Sequence, residues 1–132
     1  MGFIIKITLL DVKSPEVWRR IMVPMAFNFD QFHRVIQAAM GWKNTHLYSF
    51  SENDLSDLFR IASPYDEESG INGKNVEIGS IFLSLCNDGI MTNSRKKMTY
   101  IYDYGDYWEH KIDVVEISPD EISKAELLDG DG

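Results

Sequence analysis

Residues 28–41 carry the start, the stripe and the stop of one amphipathic helix, and no other part of the chain constrains the fold as strongly. Asn28 can accept a bond from the backbone three positions on, and Gln31 can return it, the reciprocal arrangement of a capping box. Phe27 precedes the cap, where it can pack on Phe32 as a hydrophobic staple. Phe29, Phe32, Val35, Ile36, Ala39 and Met40 recur at helical spacing and form one apolar stripe. Gly41 then supplies the left-handed residue that ends many helices. The spacing predicts a helix over 29–40. A single apolar stripe needs a surface to bury it, and the segments on either side read as strands.

Phe3, Ile5, Ile7 and Leu9 alternate with Lys6 and Thr8 over residues 3–12, the period of a half-buried strand. Turn chemistry from Asp11 to Pro15 leads to a second alternation, Val17, Ile21 and Val23 against Trp18, Arg20 and Met22, which stops at Pro24. Two strands so briefly connected should pair as an antiparallel hairpin. His46 to Phe50 reads as another short strand. Residues 51–75 are acidic and rich in turn formers, with a short strand expected near 59–62, and the charge run reads as a solvated loop. Ile78, Ile81, Phe82 and Leu85 share a face if residues 78–85 form a short helix.

The second strong signal lies in residues 97–117. Gly105-Asp106 stands between two strand-forming runs and suits a two-residue hairpin turn. That turn would set 102 opposite 109 and 101 opposite 110. One face would then carry Ile101, Asp103, Trp108, His110, Ile112 and Val114, with Trp108 buried as a core anchor. The other would carry Tyr100, Tyr102, Tyr104, Tyr107, Glu109 and Lys111. A slip of one residue would exchange the two sets. Such a tyrosine row can stack bases or grip a peptide, but packing beneath a helix is the simpler reading, since a bare aromatic row is costly. After Pro119 the chain is acidic and is expected to fray.

The 132 residues suit one domain spanning 1–132. Thirteen basic against 21 acidic residues give a net charge of −8, which disfavours binding along a phosphate backbone. The lone cysteine, Cys86, excludes an internal disulfide and any multi-cysteine zinc site. Lys6 interrupts the first apolar run too early for a signal-peptide core, and no run is long enough to span a membrane. A cytoplasmic, membrane-free setting is expected.

Phosphate-binding, dinucleotide and nucleophile-elbow signatures are missing, so catalytic residues are not assignable. His33, at the edge of the helical stripe, reads as a boundary residue. His46, Asp103, Asp106, Trp108 and His110 are the candidate binding residues. Within this set His46, Asp103 and His110 form a candidate divalent-metal triad, although nothing in their spacing demands a metal and no cofactor is assigned. Trp18-Arg19-Arg20 hints at nucleic acid or an acidic ligand, but adjacent strand residues point to opposite faces, and a surface or sheet-edge salt bridge is the expected role.

Trp18-Arg19-Arg20, then His33-x-x-Ile36-Gln37-x-Ala39-x-Gly41-Trp42 with His46-Leu47, then Tyr102-Asp103-Tyr104-Gly105-Asp106-x-Trp108-x-His110 follow in an order that resembles the plasmid pRiA4b ORF-3-like family. The resemblance runs from the first strand to about Ile117. Tyr104 stands where Phe is common in that motif. Many relatives continue past the equivalent of Leu128-Asp129-Gly130 into a Cys-Pro-Pro-Glu-Asp stretch, so a tail of 118–132 cut short is an expectation. The resemblance implies an α+β fold and an association with mobile elements, and no reaction. The fold expected is a mainly antiparallel sheet of about five strands, with one main helix across a face in a β-grasp-like manner. The function expected is a non-enzymatic module binding a protein, peptide or small ligand at the 103–110 hairpin. The alternative is a metal-assisted hydrolase or nucleic-acid-processing accessory protein using Asp103, Asp106, His110 and His46.

Overall fold

A computed structural model describes residues 1–13, 16–43, 47–51, 60–64, 70–84, 97–102, 108–120 and 122–131. The first alternation becomes β1 (Gly2–Lys13), with Phe3, Ile5 and Ile7 fully buried on one face. β2 (Glu16–Pro24) pairs with it antiparallel, Ile5 opposite Ile21 and Phe3 opposite Val23. The hairpin expected from the sequence is present.

Helix α1 spans Phe29–Met40, as its local signals require. Asn28 Oδ1 accepts the Gln31 backbone N–H at 2.8 Å, and Gln31 Oε1 accepts the Asn28 N–H at 2.8 Å. At the far end Gly41 has φ +76°, and the Gly41 and Trp42 N–H groups bond back to the Ala38 and Gln37 carbonyls. Those bonds satisfy carbonyls that a helix end otherwise leaves open. Phe32 and Ile36 are buried.

The remaining elements are β3 (Tyr48–Ser51), β4 (Arg60–Ala62), β5 (Ile71–Asn72), a 3₁₀ turn (Gly73–Asn75), α2 (Ile78–Ser84), β6 (Lys97–Tyr102), β7 (Trp108–Ser118) and β8 (Glu126–Asp131). Among the described residues all eight strands form one sheet, in the order β5-β4-β3-β6-β7-β1-β2-β8. Every pairing is antiparallel except β4 with β5. This overturns the expected β-grasp-like sheet of about five strands. The extra members were hidden for physical reasons: β5 is two residues long inside the acidic segment, and β8 is acidic and wholly exposed. The tail expected to fray instead pairs with β2, Ile21 opposite Leu127 and Arg20 opposite Asp129. Arg19 helps hold it there, donating from Nη1 to the Asp131 carbonyl at 2.7 Å and from Nε to the Ala39 carbonyl of α1 at 2.9 Å.

The core lies between one sheet face and the two helices. Phe32 stacks on Phe50, with ring centroids 5.4 Å apart, and Phe82 of α2 meets Phe3 edge-on at 5.3 Å. Ile78 and Phe82 are buried as the short-helix reading requires, while Leu85 lies outside the described residues.

The pairing of β6 with β7 differs from expectation by one residue. Tyr102 faces Trp108, Ile101 faces Glu109 and Tyr100 faces His110. The two predicted faces are therefore exchanged along β6. Tyr100 and Tyr102 share the α1-facing side with His110, Ile112 and Val114, whereas Ile101 points to the opposite side. With Tyr102 opposite Trp108, residues 103–107 connect the strands, and the predicted Gly105-Asp106 turn lies outside the described residues.

Candidate functional site

Where α1 crosses β3 and β6, it lays polar groups against tyrosines. His33 is buried, which corrects its reading as a boundary residue. Its ring stacks on Tyr48 with centroids 3.9 Å apart, and its Nδ1 lies 2.7 Å from Tyr100 Oη. Gln37 Nε2 donates to the same hydroxyl at 3.0 Å. Burial holds the Tyr100 phenol well above its ordinary pKa, so it keeps its proton. Tyr100 Oη thus sits between the Gln37 amide, which donates to it, and His33 Nδ1, which shares a hydrogen bond with it. Tyr48 Oη donates to Asp30 Oδ1 at 2.8 Å, and burial together with that carboxylate pushes the Tyr48 phenol up as well. Arg34 lies 3.4 Å from Asp30 on the solvent side. Gly73 makes room for this pair, since a Cβ there would stand 2.7 Å from Tyr48 Oη.

Toward the C-terminal end of α1 the aromatic layer comes to the surface. Trp42, set just past the Gly41 stop, stacks on Tyr102 at 5.3 Å with an interplanar angle of 16°. Its other neighbours are Trp108 at 6.0 Å and the His110 ring, edge-on, at 5.1 Å. Tyr102 is buried, Trp42 is half-buried and Trp108 is 40% exposed. The expectation that Trp108 would be a buried core anchor is corrected: as the first residue of β7 it lies at the rim of the layer, and its ring forms the outer step of a ledge.

His110 stands behind that ledge, fully buried. Its Nδ1 lies 3.3 Å from the Tyr100 carbonyl, which can only accept, so Nδ1 carries the proton and Nε2 a lone pair. Among the described residues Nε2 has no hydrogen-bond partner. Burial lowers the imidazole pKa from 6.5 to about 4, against the smaller opposing effect of the Tyr100 and Trp108 backbone, so the ring is neutral at pH 7.

Of the five candidate residues, the structure brings Trp108 and His110 together around Trp42. His46, Asp103 and Asp106 lie outside the described residues, and with them two members of the candidate metal triad. Among the described residues no three His, Cys, Asp or Glu side chains are grouped to hold a metal. Trp42, Tyr48 and Gln37 stand outside the five candidates, although Gln37 and Trp42 fall within the family motif. Trp42 carried a usable signal, a large aromatic immediately after a helix-stopping glycine, where the chain turns back onto the sheet.

This geometry defines an α+β protein with an eight-stranded sheet, a buried tyrosine–histidine layer and a surface aromatic ledge. The chain belongs to the plasmid pRiA4b ORF-3-like protein family, which it matches over residues 1–132. It is 36% identical over 118 residues to the uncharacterized protein y4hQ of Sinorhizobium fredii (strain NBRC 101917 / NGR234), covering 87% of this chain and 54% of that one. The chain thus spans about half the length of that curated relative. It also resembles the crystal structure of MM3350, a protein of unknown function from Methanosarcina mazei Go1, with a TM-score of 0.77 and 26% identity over 98% of this chain and 68% of that one. No described helix is long and apolar enough to cross a membrane.

Proposed function

We propose that this protein is a non-enzymatic binding module that holds a group of a protein, peptide or small ligand on the ledge of Trp42, Tyr102 and Trp108. The observation that carries this reading is the exposure of Trp108 while it leans on a ring cluster fixed by α1 and two strands. A large indole left 40% open on rigid support is an anchor surface rather than core. The two described histidines, His33 and His110, are buried within the layer, so neither offers a proton to a substrate on the ledge. The net charge of −8 favours a cationic group, which the electron-rich ring faces also attract. A cytoplasmic setting and an association with mobile elements belong to the same proposal, supported by the single cysteine and by the plasmid origin in the family's description.

The test is an NMR titration of the intact chain with an arginine-rich peptide and an acidic peptide of equal length. The indole N–H signals of Trp42 and Trp108 should move with the first and not the second, and Trp108→Ala should remove the response. Unmoved indole signals with both peptides would refute the ledge as a binding surface.

One observation favours a second reading, a metal-assisted hydrolase or nucleic-acid-processing accessory protein. The His110 imidazole, with Nδ1 tied to a backbone carbonyl and Nε2 without a partner among the described residues, has the orientation of a metal-ligating histidine. Calorimetry with zinc and manganese decides it. Binding that His110→Ala abolishes would place that reading first, and the absence of heat would leave the binding module.

A further inference from the structure

A second surface, away from the ledge, lies along the last strand. β8 ends the sheet, and no described strand pairs with its outer edge. All six of its residues are exposed, including Leu127 at 58% and Leu128 at 44%. Between β8 and α1 runs a mostly apolar groove of about 510 Å³, whose lining includes Phe27, Val35, Ala39 and Leu127 together with the polar Gln31 and Arg34. The register explains its character. Leu127 sits opposite Ile21 and so faces α1, while Glu126, Asp129 and Asp131 sit opposite Met22, Arg20 and Trp18 and share the other face.

Edge carboxylates are a common device against unwanted strand pairing. Exposed Leu127 in a mostly apolar groove, with exposed Leu128 next to it, does not serve that purpose and leaves the edge open to a matching strand. A second copy of this chain fits poorly. Full-length antiparallel pairing of two β8 strands would set Glu126 against Asp131 twice, and parallel pairing would align every carboxylate with itself. We propose that β8 takes an extended segment of a partner protein as a ninth strand, with alternating residues apolar and basic. The apolar residues would close the groove over Leu127, and the Lys or Arg residues would lie beside Glu126, Asp129 and Asp131 on the other face. Backbone bonding along the edge would supply affinity, and the alternation of charge and apolarity would supply selectivity.

The probes are three synthetic hexapeptides: alternating valine and lysine, alternating valine and glutamate, and a lysine–serine control. Calorimetry and amide-exchange NMR on the intact chain read the result. The valine–lysine peptide should bind and slow exchange of the β8 amides, while the other two should bind at least tenfold more weakly. Leu127→Lys should weaken binding by a similar factor, with an unchanged circular dichroism spectrum as the check on folding. Trp108→Ala should leave it intact, which separates this surface from the ledge. Equal binding of the lysine and glutamate peptides, no binding of the first, loss of binding in Trp108→Ala, or self-association of the chain through β8 would each overturn the proposal.

Discussion

At the scale of single residues, burial decides what each polar group can do. His110 has its ionisation suppressed by the layer around it, and the consequence for stability has a definite sign. The folded imidazole titrates near 4 and the unfolded one near 6.5, so between these values the unfolded chain binds more protons. The contribution is fully present above pH 6.5 and is lost as pH falls through that window, with an upper bound on the order of 3 kcal/mol. Urea unfolding should therefore show a marked drop in stability from pH 7 to pH 4.5, and His110→Phe should flatten that part of the profile. An unchanged profile would mean that the ring is solvated. At the start of α1, Asn28→Ala removes a reciprocal cap and should cost about 1 kcal/mol in the same measurement. In the buried layer, Tyr100→Phe leaves the Gln37 amide and His33 Nδ1 without the hydroxyl they share, and should cost roughly 1–3 kcal/mol despite conserving ring volume.

At the scale of elements, legibility followed how local the determining signals are. The helix could be read because its cap, stripe and stop all lie within its own residues, and Ile36→Ala should cost about 2–5 kcal/mol, since Ile36 is fully buried. The β1–β2 hairpin was readable for the same reason. The β6–β7 register was not. A two-residue turn predicts a register one residue off, whereas the pairing of Tyr102 with Trp108 is decided by what α1 can bury: His110 and the tyrosines beneath it, with Ile101 on the far side. That single step brought Tyr100 to the α1 side and gave His33 its partner, while Trp108 kept its face and owes its exposure to its place as the first residue of β7. β5 and β8 left no periodic signal, because two residues cannot show alternation and β8 has no buried face to create one.

At the scale of the whole molecule, one sheet carries two different outward surfaces. The aromatic ledge lies at the C-terminal end of α1, and the groove and open edge lie along β8, with the helix between them and buried histidines under its inner face. His110 belongs to the fold and Trp108 to the surface, although they stand two positions apart on one strand and were grouped in one candidate site by sequence alone. The most direct test is a paired measurement on His110→Ala and Trp108→Ala, recording urea stability and binding of the arginine-rich peptide. The predicted result is a loss of about 2–4 kcal/mol for His110→Ala, with less than about 1 kcal/mol lost in Trp108→Ala but binding abolished. A Trp108→Ala protein that unfolds, beside a His110→Ala protein that stays stable and loses binding, would contradict the account.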